Sequence, residues 1–181
     1  MRDTPQHAIR LLGPSPFVQG VARWALAGVL SFAAWQFHRV APLAGLVGVG
    51  LAPFANMYLF FRGLSLMHRG ILHWKTCRAA RRLGLAPGWG SSGGGYLLVD
   101  EDRGMWVANG VSGTLDTLAD VTCGIRDQAF VLELREAKDA APVVGVGMND
   151  AAELEAVAAR LVRSAAEYRK RQAVAPDALP N

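Results

Sequence analysis

With 181 residues, the chain has room for one modest domain and an accessory segment. Its net charge of +4 is sorted along the chain: residues 1–87 carry ten Lys/Arg against Asp3 alone, and residues 88–150 carry ten acids against four basic groups. Positive charge that brackets long apolar runs argues for membrane flanks and against nucleic acid as a partner. Cys77 and Cys123 have neither a CxxC partner nor a His pair at metal spacing, so a disulfide framework and a zinc site are both disfavoured.

Residues 1–16, with three prolines, read as a cytoplasmic N-terminal tail. Residues 17–61 read as a transmembrane α-helical hairpin of two spans, 17–37 and 42–61, joined at the short tip 38–41. Trp24 and Trp35 stand near the two ends of the first span, where indole rings favour the interface. Arg23 lies less than two turns into that span, close enough for its long stem to reach the headgroups. A cleaved secretory signal fits less well, because Arg23 interrupts the apolar core and a second apolar run follows at once. Ala27 and Ser31 in the first span, and Ala44 and Gly48 in the second, have the small-xxx-small spacing of close helix packing, within the hairpin or between copies of the chain. Arg62, Arg69, Lys75, Arg78, Arg81 and Arg82 follow the second span, whereas His38 and Arg39 alone occupy the tip. The positive-inside rule then places both termini in the cytoplasm, in a multi-pass protein of the cytoplasmic (inner) membrane.

Residues 62–87 read as a basic amphipathic juxtamembrane helix with an apolar stripe at Leu64, Met67, Ile71, Trp74, Cys77 and Ala80. The six basic residues just named form its expected membrane surface, toward anionic headgroups; the alternative is a stalk packed on its own domain. Gly84 and Pro87 supply its stop signal. Residues 88–95, GWGSSGGG, read as a flexible linker. A phosphate-binding loop is excluded by the lack of a preceding strand and of a Lys-Ser/Thr pair.

From residue 96 the apolar period changes from 3.6 to 2. A hairpin turns through Asp100–Gly104, a second turn falls at Asn109-Gly110, and Val121/Cys123/Ile125 and Phe130/Leu132/Leu134 alternate with polar neighbours. The reading is a small antiparallel meander of five or six strands, a partial barrel. A C-terminal helix over 149–171 closes it, with the stripe Leu154, Val157, Ala158, Leu161, Val162, Ala165 and a cap at Asn149 or Asp150. Residues 172–181 read as a disordered tail.

The segments YLLVDEDRGMWVANG, TLADVTCGI, AFVLELRE, PVVGVGM and NDAAELEAVAARLV together resemble the bacterial pleckstrin-homology-like (PH-like) domain over about 96–171. The resemblance implies a binding module of α+β class. Its lipid-binding version requires a basic opening hairpin, whereas Asp100-Glu101-Asp102-Arg103 is mainly acidic, so a protein partner is expected for the domain. The expectation is a non-enzymatic scaffold or adaptor, without a cofactor or metal site, that presents this domain to an unidentified protein partner and is capable of homo-oligomerisation. The alternatives are a small subunit of a larger envelope assembly (secretion, conjugation or transport), an enzyme, or a soluble protein that buries its helix pair. No Ser-His-Asp set, His/Cys cluster or carboxylate pair in an apolar setting suggests catalysis.

Overall fold

The structure is a computed structural model that describes residues 11–13, 15–40, 42–139 and 141–174, with backbone alone for 42–52. The expected tails and the predicted pair Ala44 and Gly48 lie largely outside what is described at side-chain level. The chain divides into two compact units: Ser15–Ile71, and Leu72 onward together with the first residues of the chain.

The first unit is a helix pair. Helix α1 spans Phe17–Val40 and helix α2 spans Pro42–Arg82, of which the part up to Ile71 belongs here. Pro53 sits inside α2 without ending it. The packing is antiparallel and its register is regular: Ser31 meets Asn56, Trp24 meets Gly63, Gly20 meets Met67 and Phe17 meets Gly70. On each helix these positions are three, four or seven residues apart, a single stripe. Gly63 is required by close approach, since a Cβ there would fall 2.5 Å from the Trp24 ring. Trp24 stacks on Phe60 at 5.0 Å and donates its indole N–H to the Phe60 carbonyl. Asn56 donates to the Ser31 hydroxyl at 2.6 Å, and Ser31 donates in turn to the Ala27 carbonyl. The outer surface is apolar and bare, with Val18, Val29, Phe32, Phe54, Tyr58 and Phe61 all well exposed.

The packing stripe therefore runs past the predicted end of the second span at residue 61. Gly63, Met67 and Gly70, assigned from sequence to the juxtamembrane helix, lie against α1. Arg62 breaks the apolar pattern but points away from that stripe and is exposed.

The second unit has two small antiparallel sheets and a C-terminal helix. Strands β1 (Trp89–Ser91), β2 (Leu97–Asp100), β3 (Met105–Ala108) and β4 (Val111–Thr114) form one sheet in that order. Strands β5 (Leu118–Arg126), β6 (Ala129–Glu136) and β7 (Val144–Met148) form the other. Helix α3 spans Ala151–Val174. Asn109-Gly110 and Asp127-Gln128 both have positive φ at each residue, the type I′ turn that matches strand twist in a two-residue hairpin loop. Leu97, Val99, Trp106 and Ala108 face a core shared with Leu132, Leu134, Val146, Leu154 and Leu161. Leu98 and Val107 face the opposite way and join Leu12, Cys77, Ala80, Leu85 and Tyr96. Strands β2 and β3 are thus covered on both faces, which is why they read as unbroken apolar runs.

Several sequence readings change here. Among the described residues six strands, β2–β7, fall within 96–148 as expected, and a seventh, β1, precedes them. The supposed linker 88–95 contains β1, and its glycines lie against neighbouring backbone: a Cβ on Gly94 would meet the Gly147 carbonyl carbon at 2.8 Å. Ser91 donates to Glu153, which also accepts from Asn149 N–H, while Asp150 caps Glu153 N–H; the glycine-rich stretch is tied to the start of α3. Val162, predicted on the buried stripe of α3, is 51% exposed; Ser164 takes the buried place instead, donating to Glu101. The last turns of α2 pack on the sheet through His73, Thr76, Cys77 and Ala80, so their buried face is on the protein's own β unit.

Candidate anion-binding groove

The end of α2 is held firmly. Leu85 N–H bonds the Ala80 carbonyl and Gly84 N–H bonds the Arg81 carbonyl, with Gly84 at φ +61. This is the Schellman ending that the sequence Gly84 predicts. Arg103, from the turn between β2 and β3, donates to the carbonyls of Leu83 and Gly84 and completes the cap. At the other side of the helix, the Asn109-Gly110 turn comes so close that a Cβ on Gly110 would sit 2.7 Å from Lys75 Cβ. Asn109 fixes that turn, accepting from Tyr96 N–H and donating to the Gly145 carbonyl of β7.

Between the helix and this turn lies an open groove of about 470 Å³ lined by Lys75, Arg78, Ala79, Arg82, Leu83, Gly110 and Ser112. Lys75, Arg78 and Arg82 are spaced by three and four residues, so they share one helix face. The lining holds three cations and a hydroxyl and no carboxylate. Arginine donors grip planar or tetrahedral oxyanions in pairs, and lysine adds a point charge. The chemistry suited to this groove is an anion with several oxygens, such as a phosphate group.

Of the six predicted basic residues, the groove gathers Lys75, Arg78 and Arg82. Arg81 is exposed on another face of α2, and Arg62 and Arg69 fall in the helix-pair unit. Ala27 and Ser31 line a second recess of about 400 Å³ with Trp24, Gly28, Asn56, Met57 and Phe60. Ser112 and Gly110 were not legible as site residues; the type I′ signature of Asn109-Gly110 located the turn but not what it faces.

The acidic hairpin is also different from its sequence. Asp100 is 1% exposed and accepts from Ala86 N–H and Arg103 N–H. Glu101 accepts from the Trp89 indole and the Ser164 hydroxyl. Only Asp102 faces solvent outright. Two of the three carboxylates expected to repel phosphate are therefore spent inside the fold. Burial raises the Cys77 thiol above its ordinary pKa, with Arg81 acting in the opposite sense, and the thiol lies 3.9 Å from the His73 ring nitrogens. Among the described residues no group of three His, Cys, Asp or Glu could hold a metal.

By length and composition, α1 is the one helix among the described residues able to cross a membrane, and only 6% of its most apolar stretch is buried. No protein-family model, no curated protein and no solved structure matches the chain.

Proposed function

We propose that the protein is a non-enzymatic adaptor of the cytoplasmic membrane, anchored by the helix pair as a two-span hairpin, with a PH-like domain presented to a protein partner in the cytoplasm. The observation that carries this reading is the way the helix pair joins the rest of the chain. Its outer surface is a broad apolar area of the kind that soluble monomers rarely expose. Both of its ends return to one β unit, where Leu12 is buried beside Cys77 and Ala80, and His73 Nε2 lies 3.0 Å from the Gly13 carbonyl. A segment whose two ends meet in one folded unit crosses a bilayer an even number of times. If α1 spans, α2 brings the chain back.

The PH-like reading is supported by the four-plus-three strand order and the closing helix α3. It rests on architecture alone. In this reading the groove at Lys75, Arg78 and Arg82 engages the phosphate of an anionic lipid at the inner leaflet.

Carbonate extraction of cell membranes tests the anchor: the chain should stay in the pellet, and release to the supernatant would overturn the reading. Reversing Lys75, Arg78 and Arg82 to Glu should leave carbonate resistance intact, while a detergent-solubilised sample loses binding to phosphatidylglycerol vesicles. Unchanged vesicle binding would remove the lipid role from the groove. Recovery of stoichiometric membrane-protein partners after mild detergent extraction would favour a subunit of a larger envelope assembly.

A further inference from the structure

Strand β5 is an edge. Strand β6 pairs with one side, and no described strand pairs with the other. The two-residue loop Asp127-Gln128 makes Arg126 and Ala129 a hydrogen-bonded pair, and alternation along the ladder gives the same status to Gly124, Thr122 and Asp120. The backbone N–H and C=O groups of Val121, Cys123 and Ile125 therefore point along the open edge. Its beginning is closed by Arg169, which donates to the Leu118 carbonyl. Beyond that, residues 121–125 carry neither a charge nor Pro, the usual means of blunting an edge.

We infer that this edge pairs with the same edge of a second copy of the chain, antiparallel, about a two-fold axis at Cys123. In that register Cys123 faces Cys123, Val121 faces Ile125, Thr122 faces Gly124 and Asp120 faces Arg126. Three independent features select it. The outward-pointing residues of one copy meet those of the other, so all three exposed backbone positions on each edge are paired. The charges are self-complementary: Asp120 already meets Arg135 at 3.1 Å, and Arg126 meets Glu133 at 3.9 Å. Joining the edges extends this to a row of Arg135, Asp120, Arg126 and Glu133 that alternates in sign across the axis. Moving the axis to Thr122 or Gly124 would set Asp120 against Gly124 or Gln128 and unpair both charges.

The third feature is apolar. Ile125 is 72% exposed although it shares the core-facing side of β5 with Val121. Beside Val121 is a recess of about 220 Å³, also lined by Leu118, Val162, Ala165 and Arg169. The two-fold places Ile125 of each copy opposite Val121 of the other, at the mouth of this recess. It also gives a contact to Val162, the residue that α3 leaves uncovered. Such a contact is isologous and closes at two copies. The two three-stranded sheets become one of six strands. The inference depends only on β5 and α3 and stands apart from the membrane reading.

The test uses the full chain in mild detergent without added partner. Sedimentation equilibrium should give a protein mass of two chains, and a short bismaleimide should join Cys123 to Cys123. Ile125→Lys, at an exposed position, should keep the thermal unfolding curve of the parent and lose at least tenfold of the crosslinked species. Cys123→Ser should stop crosslinking and leave the mass at two chains. Asp120→Arg alone should weaken the dimer, and Asp120→Arg with Arg126→Asp should restore it. A monomeric parent chain overturns the inference, as does a dimer that survives Ile125→Lys or fails to crosslink at Cys123. A monomer that retains a bound foreign peptide on β5 overturns it as well, in favour of strand addition by another protein.

Discussion

Replacing Asp100 by alanine separates the structural from the functional account of the acidic hairpin. Its carboxylate accepts two backbone hydrogen bonds, from Ala86 at 2.8 Å and Arg103 at 3.1 Å, at a residue 1% exposed. A hydrogen bond to a charged acceptor contributes about 1.5–3 kcal/mol, so the loss of two gives an expected destabilisation of about 3–5 kcal/mol. The Arg103 turn also carries the guanidinium that caps α2, so the loss should fall toward the upper end. For a unit of this size each kcal/mol lowers Tm by roughly 4–8 °C, so a fall of at least about 12 °C is expected. Near-UV circular dichroism of the full chain in detergent, with the fully buried Trp106 as a reporter, measures it. Asp102→Ala is the control. It removes the same residue type two positions on, where the side chain is 94% exposed and its ion pair to Arg171 is long, at 3.9 Å. Its Tm should move by less than about 2 °C. An Asp100→Ala protein that melts with the parent, or equal effects at the two sites, would refute the reasoning.

Three further outcomes follow from the fold. Leu161→Ala removes a fully buried side chain where α3 meets both sheets, and thermal unfolding should show a loss of about 2.7–5 kcal/mol. Gly104→Ala should destabilise the same transition by more than about 1 kcal/mol, because φ is +64 and the new methyl would overlap the Tyr168 ring; Tyr168→Ala in the same chain should recover part of it. Iodoacetamide at neutral pH should alkylate the exposed Cys123 first. That reaction should be slower than for a free peptide thiol and should quicken as pH rises, because partial burial, followed by Glu155, raises the Cys123 pKa and only the thiolate reacts. Cys77, buried and also held protonated by desolvation, should react only on unfolding, as mass spectrometry of the labelled peptides would show.

Strands β5 and β6 were legible because their alternation is regular and their partners are local. Helix α3 was legible from its stripe and its Asp150 cap, and Asn109-Gly110 from the backbone a type I′ turn demands. Strand β1 was not, because Gly90 and Gly94 look like a tether in sequence. Their real role is to let backbone approach backbone, Gly90 against the Leu97 carbonyl and Gly94 against Gly147. Gly63 and Gly70 were missed for a related reason: the apolar pattern breaks at Arg62, although the helix contact does not. The acidic hairpin misled because charge in a sequence does not reveal which carboxylates face inward. In the groove, the cations of α2 were visible at helical spacing, but Ser112 lies 30 to 37 residues further along the chain and arrives by tertiary packing, for which no local signal exists.

The burial of Leu12 has a consequence for how the chain is made. Leu12 is 4% exposed, and its neighbours Cys77, Ala80, Tyr96, Leu98 and Val107 all come later in the sequence. During synthesis it emerges before the helix pair, and its site is complete only when the second strand of the hairpin, at residue 107, has left the ribosome. A segment made before the helix pair is thus fixed in place only after it. Loss of the Leu12 side chain would leave an apolar opening over Leu98 and Val107 in the finished protein.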